Sequence, residues 1–274
     1  MKVLLFTLEY PPHYGGVANY YYNLIKFWPE QNDIFVLNNN RSELINSNLF
    51  FLKWLPSFKA CYLSIKKNRI EHIIVGHILP LRIVAYLFNL FFNIGYSIVL
   101  HGMDFPFALK VKRKKFLTRL ILSRADNIIC VNSYVSKIAK EFLGSDQKIR
   151  IINPGINVKE NYALKDKEKK VLVDQYNLKD KYILLSVGRL VKRKGFDYVI
   201  KTLKEVIKEI PNLIYVIIGK GEDENNLKQL ITSDLENKVI LLNNVNDNEK
   251  RIWYNICNCF IMPARNIDGD FEGF

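Results

Sequence analysis

The chain has 274 residues, 49% hydrophobic and 13% aromatic, which is enough apolar material for two packed domains and too much for a disordered chain. Its formal charge of +13, from 40 basic and 27 acidic residues, exceeds what solubility requires and points to an anionic partner: a phosphorylated ligand, an acidic membrane face or a nucleic acid. Cysteines at 61, 130, 257 and 259 have neither disulfide-framework nor zinc-site spacing and read as thiols of a reducing compartment, with Cys130 and Cys257 in apolar runs.

Lys2 to Leu8 reads as a strand, too short and too soon followed by Glu9 for a signal peptide. The loop Glu9 to Ala18 carries Gly15-Gly16 just before a helical pattern from Asn19 to Phe27. Such a pair either lets backbone amides approach a ligand or makes a flexible turn. It is not a dinucleotide fingerprint, because G-x-G-x-x-G is missing and the second strand, Asp33 to Leu37, closes on Asn38-Asn39-Asn40-Arg41 instead of an acidic residue. A nicotinamide enzyme is therefore disfavoured.

Ile70 to Val75 is a further strand. The nearly all-apolar tract Ile78 to Leu100 raises the question of a membrane span, but Pro80, Arg82, Asn89, Asn93 and Gly95 divide it into a helix to about Phe92 and a strand from Tyr96 to Leu100. That strand ends in His101-Gly102-Met103-Asp104, a histidine and a carboxylate at a strand's carboxyl end. A lone histidine there is more often structural than catalytic. Lys110 to Arg119 is basic with interleaved apolar residues. It reads either as a helix with one solvated and one buried face or as a surface that docks on anionic lipid headgroups. Asp126 to Val131 is a strand, Asn132 or Ser133 caps a helix from Tyr134 to Leu143, and Ile149 to Asn157 is a strand breaking into a turn.

Residues 158–181 are dense in lysine and acidic side chains and read as a linker and the entry to the second domain, between domains at 1–157 and 182–274. Beyond it, strands at 182–187, 213–218, 239–242 and 259–262 alternate with helices at 197–210, 224–233 and 247–255, the pattern of a parallel α/β sheet. Gly188 closes the first of these strands, and Arg189, Lys192, Arg193 and Lys194 crowd the loop before Gly195 and the next helix. Cations between a strand's carboxyl end and a helix amino end suit a diphosphate. Gly219 and Gly221 line the adjacent loop. Most aromatic residues fall in core-like positions, so a nucleic-acid groove is disfavoured.

Taken in order, Tyr10-Pro11-Pro12 with Gly15-Gly16, His101-Gly102-Met103-Asp104, Asn153-Pro154-Gly155-Ile156-Asn157, Val187 to Gly195, Ile218 to Glu222 and Pro263 to Phe274 resemble the retaining GT-B glycosyltransferases of family 4, the glycosyl transferases group 1. Met262-Pro263-Ala264-Arg265 looks, more softly, like the lipid-mannosyl branch. The resemblance implies an α/β GT-B fold, two Rossmann-like doubly wound parallel-sheet domains facing a cleft. It implies sugar transfer from a GDP- or UDP-sugar to a lipid-linked or saccharide acceptor in envelope glycan or glycolipid synthesis, with retention and no metal. Arg189 and Lys194 match the pair that grips the donor diphosphate, beside Gly188, Gly219 and Gly221. Gly15 and Gly16 match the phosphate-side glycines, His101 the histidine over the donor sugar, and Glu272 the first glutamate of an E-x7-E pattern. Its second glutamate would fall beyond Phe274, so on this reading the second domain is incomplete and the chain has little activity. The expected location is cytoplasmic, peripheral on the inner membrane face through 110–119. A non-catalytic basic membrane scaffold is the alternative.

Overall fold

The computed structural model describes residues 1–12, 15–40, 44–45, 54–76, 80–102, 105, 109–155 and 166–267. The chain divides into two compact units that part between Ile156 and Asn157.

In the first unit β1 (Val3–Phe6), β2 (Ile34–Leu37), β3 (His72–Val75), β4 (Gly95–Leu100), β5 (Asn127–Cys130) and β6 (Ile149–Ile151) form a parallel sheet in the order β2-β1-β3-β4-β5-β6. Val3 pairs with Ile34 on one side and His72 on the other, so β1 is central, and every one of its residues is buried. A strand covered on both faces has no reason to alternate polar and apolar residues, hence the unbroken Val-Leu-Leu-Phe run. Around the sheet lie α1 (Gly16–Lys26), α2 (Leu55–Asn68), α3 (Leu81–Phe92), α4 (Lys112–Arg124) and α5 (Ser133–Leu143).

The apolar tract 78–100 resolves as expected into α3 and β4. Leu81, Val84, Ala85 and Phe88 form the buried stripe of α3, at helical spacing, and Asn93 ends it in the left-handed region. Among the described residues no helix is long and apolar enough to cross a membrane. Asn132, one of the two expected caps, accepts a hydrogen bond from Val135 N at 2.9 Å. The helix α2 is an addition to the sequence reading. It buries only Ser57 and Cys61, so its apolar stripe is too thin to stand out.

In the second unit α6 (Asp166–Gln175), β7 (Tyr182–Val187), a 3-10 turn (Lys192–Lys194), α7 (Phe196–Glu209), β8 (Leu213–Ile218), α8 (Glu224–Leu230), β9 (Val239–Leu242), α9 (Asp247–Ile256) and β10 (Cys259–Phe260) follow in order. The parallel sheet runs β10-β7-β8-β9. Its cores lie on opposite faces, one built on Phe196, Ile200 and Leu203 of α7 and the other on Leu172 of α6 and Trp253 of α9. The helix α6 corrects the linker reading for residues 166–175. Leu172 packs with Leu178, Ile183 and Trp253 in this unit's core, and the dense lysines and acids are the helix's exposed face. Residues 158–165 of that stretch lie outside the described residues.

Each sheet order reverses once, between β1 and β3 and between β7 and β10, and open α/β sheets bind ligands outside the carboxyl ends of strands at such reversals. At the opposite, amino-terminal edge of the first sheet, His72 Nε2 meets Ser97 Oγ at 2.9 Å and His72 Nδ1 lies 3.8 Å from Asp126 Oδ2. Gly95 makes this approach feasible, since a Cβ there would crowd both the Asp126 carboxylate and the His72 ring. Ser97 is buried within β4, so this serine-histidine-aspartate contact ties three strand beginnings together and presents no nucleophile to a substrate. Burial lowers the His72 pKa, with Asp126 opposing. The folded state therefore takes up this proton less readily than the unfolded chain. The His72 contribution to stability is full above the ordinary histidine pKa of about 6.5 and lost as pH falls below it. Denaturant unfolding between pH 7.5 and pH 5 is expected to show this loss, and His72→Gln to flatten it.

Candidate functional site

The site in the second unit is built from strand-end loops that touch backbone to backbone. Gly188 N donates to Ile218 O at 2.9 Å, Leu190 N to Lys220 O at 2.9 Å, and Asp223 N to Leu190 O at 3.0 Å. A Cβ at Gly219 would run into the Gly188 carbonyl oxygen, and one at Gly221 into that of Leu190. Gly195, at φ +72, ends the 3-10 turn, and a Cβ there would strike the Pro263 carbonyl. No side-chain carbon fits at these three positions, which is why glycine stands in each.

The basic residues are thereby set along one edge, at the β7/β10 reversal. Arg189 is exposed and has no carboxylate partner among the described residues. Lys194 is half-buried, its Nζ 4.0 Å from Met262 Sδ. Gly188, Arg189, Lys194, Gly219 and Gly221 are therefore brought together as the sequence anticipated. The amino end of α7 follows directly, with Gly195 as its cap.

Two features here escape the sequence reading. Asp197, in the first turn of α7, is buried and grips Arg265 as a fork, Oδ1 to Nη2 at 3.1 Å and Oδ2 to Nη1 at 3.2 Å, with Lys201 Nζ at 3.2 Å from Oδ2. Arg265 also lies 4.2 Å over the Tyr198 ring, and its backbone N–H donates to Arg193 O at 2.8 Å. The pair clips the segment after β10 onto the basic turn and neutralises Asp197, so the loop's other cations keep their charge for an anionic ligand. Only the softer Met-Pro-Ala-Arg match touched Arg265, and nothing marked Asp197 as its partner.

The second feature is a cavity of about 370 Å³ beyond β9, lined by Tyr176, Leu242, Asn243, Asn244, Val245 and Glu249. Asn243 Nδ2 donates to Glu224 Oε1 at 2.7 Å, and its buried Oδ1 has no hydrogen-bond partner among the described residues. Hydrogen bonds from Lys228 and then Asn243 hold the Glu224 carboxyl below its ordinary pKa.

In the first unit, Gly15 caps α1 and Gly16 is its first residue. His101 follows β4 and is buried, its ring meeting Tyr20 and Tyr21 edge-on with centroids 5.1 and 5.0 Å away. Its Nε2 lies 2.6 Å from Tyr21 Oη, which donates to Gly76 O at 3.1 Å. Glu272, Met103 and Asp104 lie outside the described residues. Gly15, Gly16 and His101 thus belong to one unit, and Gly188, Arg189, Lys194, Gly219 and Gly221 to the other. Among the described residues no three His, Cys, Asp or Glu side chains converge as a metal site.

A family model described as Glycosyltransferase Family 4 matches residues 14–160, and one described as Glycosyl transferases group 1 matches residues 168–274. The chain is 25% identical to a GDP-mannose-dependent monoacylated alpha-(1-6)-phosphatidylinositol monomannoside mannosyltransferase of Corynebacterium glutamicum, over 99% of this chain and 75% of the relative. A glycosyltransferase from Rickettsia africae superposes with a TM-score of 0.79 at 17% identity, over 97% of this chain and 73% of its own. Anabaena Alr3699/HepE in complex with UDP-glucose superposes with a TM-score of 0.75 at 16% identity, covering 95% of this chain and 73% of its own.

Asp197→Ala leaves Arg265 without its carboxylate against a half-apolar surface. We expect a loss of about 2 kcal/mol in unfolding free energy, reduced from the fully buried case because Arg265 keeps some solvent. Chemical denaturation of the variant measures it, and an unchanged midpoint would mean the fork does not hold the loops together.

Proposed function

The chain belongs to Glycosyltransferase Family 4, and from that premise we propose that it moves a sugar from a nucleotide diphosphate to a lipid-linked or saccharide acceptor with retention of anomeric configuration. The observation that carries this reading is the glycine-stacked edge at the β7/β10 reversal, which sets Arg189 and Lys194 where a diphosphate would meet the amino end of α7. Breaking the anomeric C–O bond places negative charge on the departing phosphate and positive charge on the sugar. Arg189 and Lys194 stabilise the first, and fixed cations do so without reorganising as the charge develops. The departing phosphate oxygen takes the acceptor's proton on the same face of the sugar, so the reaction needs neither a carboxylate pair nor a metal. The family resemblance assigns Gly16 to the phosphates and acceptor, and His101 and Glu272 to the transferred sugar.

The cavity beside Asn243 is the place we assign to the nucleobase, because it opens at the same sheet edge and offers both apolar walls and an amide. The Corynebacterium relative, named as GDP-mannose-dependent and acting on a phosphatidylinositol mannoside, supports a GDP-sugar and a lipid acceptor. The Anabaena neighbour, seen with UDP-glucose, keeps a UDP-sugar in view. On the acceptor side, Lys112, Arg113, Lys114 and Lys115 are exposed on α4 with Val111 and Phe116, the latter 67% exposed, while Thr118, Ile121 and Leu122 face the core. That face suits an anionic membrane surface. Family membership favours the enzyme over the scaffold reading.

Calorimetric titration with UDP, GDP and ADP in the presence of a chelator tests the donor site. One nucleotide is expected to bind without metal, and Arg189→Ala or Lys194→Ala to weaken it by roughly ten- to a hundredfold, the worth of a charge-assisted hydrogen bond. Equal affinity in both variants would remove the diphosphate from this loop. Co-sedimentation with anionic phospholipid vesicles is expected to fall with added salt and in Lys112→Glu with Lys114→Glu. Salt-insensitive binding would exclude the α4 surface.

A further inference from the structure

The cavity beyond β9 lies wholly within the second unit, and one group in its wall has no counterpart in the folded chain. Glu249, in the first turn of α9, is half-buried and lines the cavity. Its carboxylate makes no hydrogen bond and no ion pair among the described residues. Lys250, the adjacent cation, is taken by Asp247 at 2.5 Å. In a capping box Glu249 would also turn back to the Asn246 N–H, but among the described residues only the other half of that exchange forms, Asn246 Oδ1 accepting from Glu249 N at 2.9 Å. A half-buried carboxylate without a partner is destabilising, and a ligand that brings N–H donors relieves it.

A second acceptor stands in the same wall. Asn243 Nδ2 donates to Glu224 Oε1 at 2.7 Å, and because a carboxylate only accepts, this fixes the amide with Oδ1 as its remaining acceptor, which has no partner among the described residues. Glu224 is offset by Lys228 Nζ at 2.6 Å, whereas Glu249 is not offset at all. The Tyr176 ring supplies a flat apolar wall, steadied by the buried Trp253 ring with centroids 5.3 Å apart. Burial and then the Glu249 charge raise the Tyr176 pKa, so the phenol stays neutral beside the carboxylate. Gln175 and Asn244 add exposed amides at the rim.

A carboxylate in such a place sorts nucleobases by their edges, since its two oxygens accept two parallel N–H donors. Guanine presents N1–H and an N2 amine side by side. Uracil presents one N–H between two carbonyl oxygens, and adenine and cytosine set their amine beside an unprotonated ring nitrogen, so each of these turns an acceptor toward the carboxylate. We propose that Glu249 is the specificity-determining residue of this cavity and selects guanosine diphosphate donors, accepting from N1–H and the N2 amine while the base lies against Tyr176. This rests on placing the nucleobase here. The rim amides of Gln175 and Asn244 are suited to donate to guanine O6. The ends of β7 and β9 stand two strand spacings apart, about 10 Å, which leaves room for a ribose between this cavity and a diphosphate at Arg189 and Lys194.

The test is calorimetric titration of the chain with GDP, IDP, UDP and ADP. IDP keeps N1–H and lacks the N2 amine, so the GDP to IDP ratio reads the second hydrogen bond alone. GDP is expected to bind tightest, about tenfold or more over IDP, the worth of a hydrogen bond to a charged group. Glu249→Gln, close in size and on a half-exposed turn, should stay folded and bring GDP close to IDP, and Glu249→Ala gives the same comparison should the Gln variant not fold. Arg189→Ala should weaken all four nucleotides alike and keep their order. UDP or ADP binding as tightly as GDP, or a GDP to IDP ratio unchanged in both Glu249 variants, overturns the proposal and leaves the donor site in place. GDP selectivity that depends on Glu249 but not on Arg189 would move the diphosphate and uphold the base assignment. Binding of none of the four refutes the donor site and the proposal together.

Discussion

The strand-end loops of the second unit are held first of all by backbone touching backbone. With a carbonyl of Gly188 against Gly219, one of Leu190 against Gly221 and one of Pro263 against Gly195, the loops after β7, β8 and β10 cannot move apart without exposing hydrogen-bonding groups. Cations on a loose loop would have to be collected by the ligand at an entropic cost for each long side chain. Here the main chain beneath them is already ordered by these backbone contacts and by the Asp197–Arg265 pair, and the long side chains of Arg189 and Lys194 remain the adjustable part.

The same logic runs through both sheets. A parallel sheet aligns all its strand ends at one edge, and where the order reverses, two neighbouring loops leave in opposite directions and open a hollow. In the first unit that hollow is floored by Tyr21, Thr7 and Gly76, and in the second by Ser186, which receives a hydrogen bond from Tyr215 at 2.9 Å and donates to Ile261 O at 2.7 Å. Burial raises the Tyr215 pKa, so this phenol stays neutral and acts as a fixed strut. Each floor is polar yet hydrogen-bonded, rigid enough to support a site and free of net charge.

What the sequence made legible follows from which signals are local. The strands β7, β8 and β9 appear at the residues expected, because a short apolar run bounded by glycine, asparagine or a polar turn has few other readings. The basic loop after β7 was legible because its glycines and cations are contiguous. The helix α6 was hidden because its ten residues bury Leu172 alone and otherwise face solvent, which is how a linker also looks. The fork between Asp197 and Arg265 joins residues 68 apart in the chain, and the Tyr21–His101 contact joins residues 80 apart, so neither leaves a spacing to notice. Tyr21 further resembled an ordinary helical core aromatic, and only its hydroxyl's neighbours distinguish it.

The two hidden contacts settle local polarity in different ways. Asp197 stands in the first turn of α7, where a helix amino end favours a carboxylate, and Arg265 and Lys201 offset its charge beside the basic turn. In the first unit the phenol of Tyr21 stands between the Gly76 carbonyl and the His101 imidazole and so joins the ends of β3 and β4. One contact offsets a charge, the other joins two strand ends. In both, a buried polar group, Asp197 or Tyr21, is paired within the folded chain, so no ligand has to organise it.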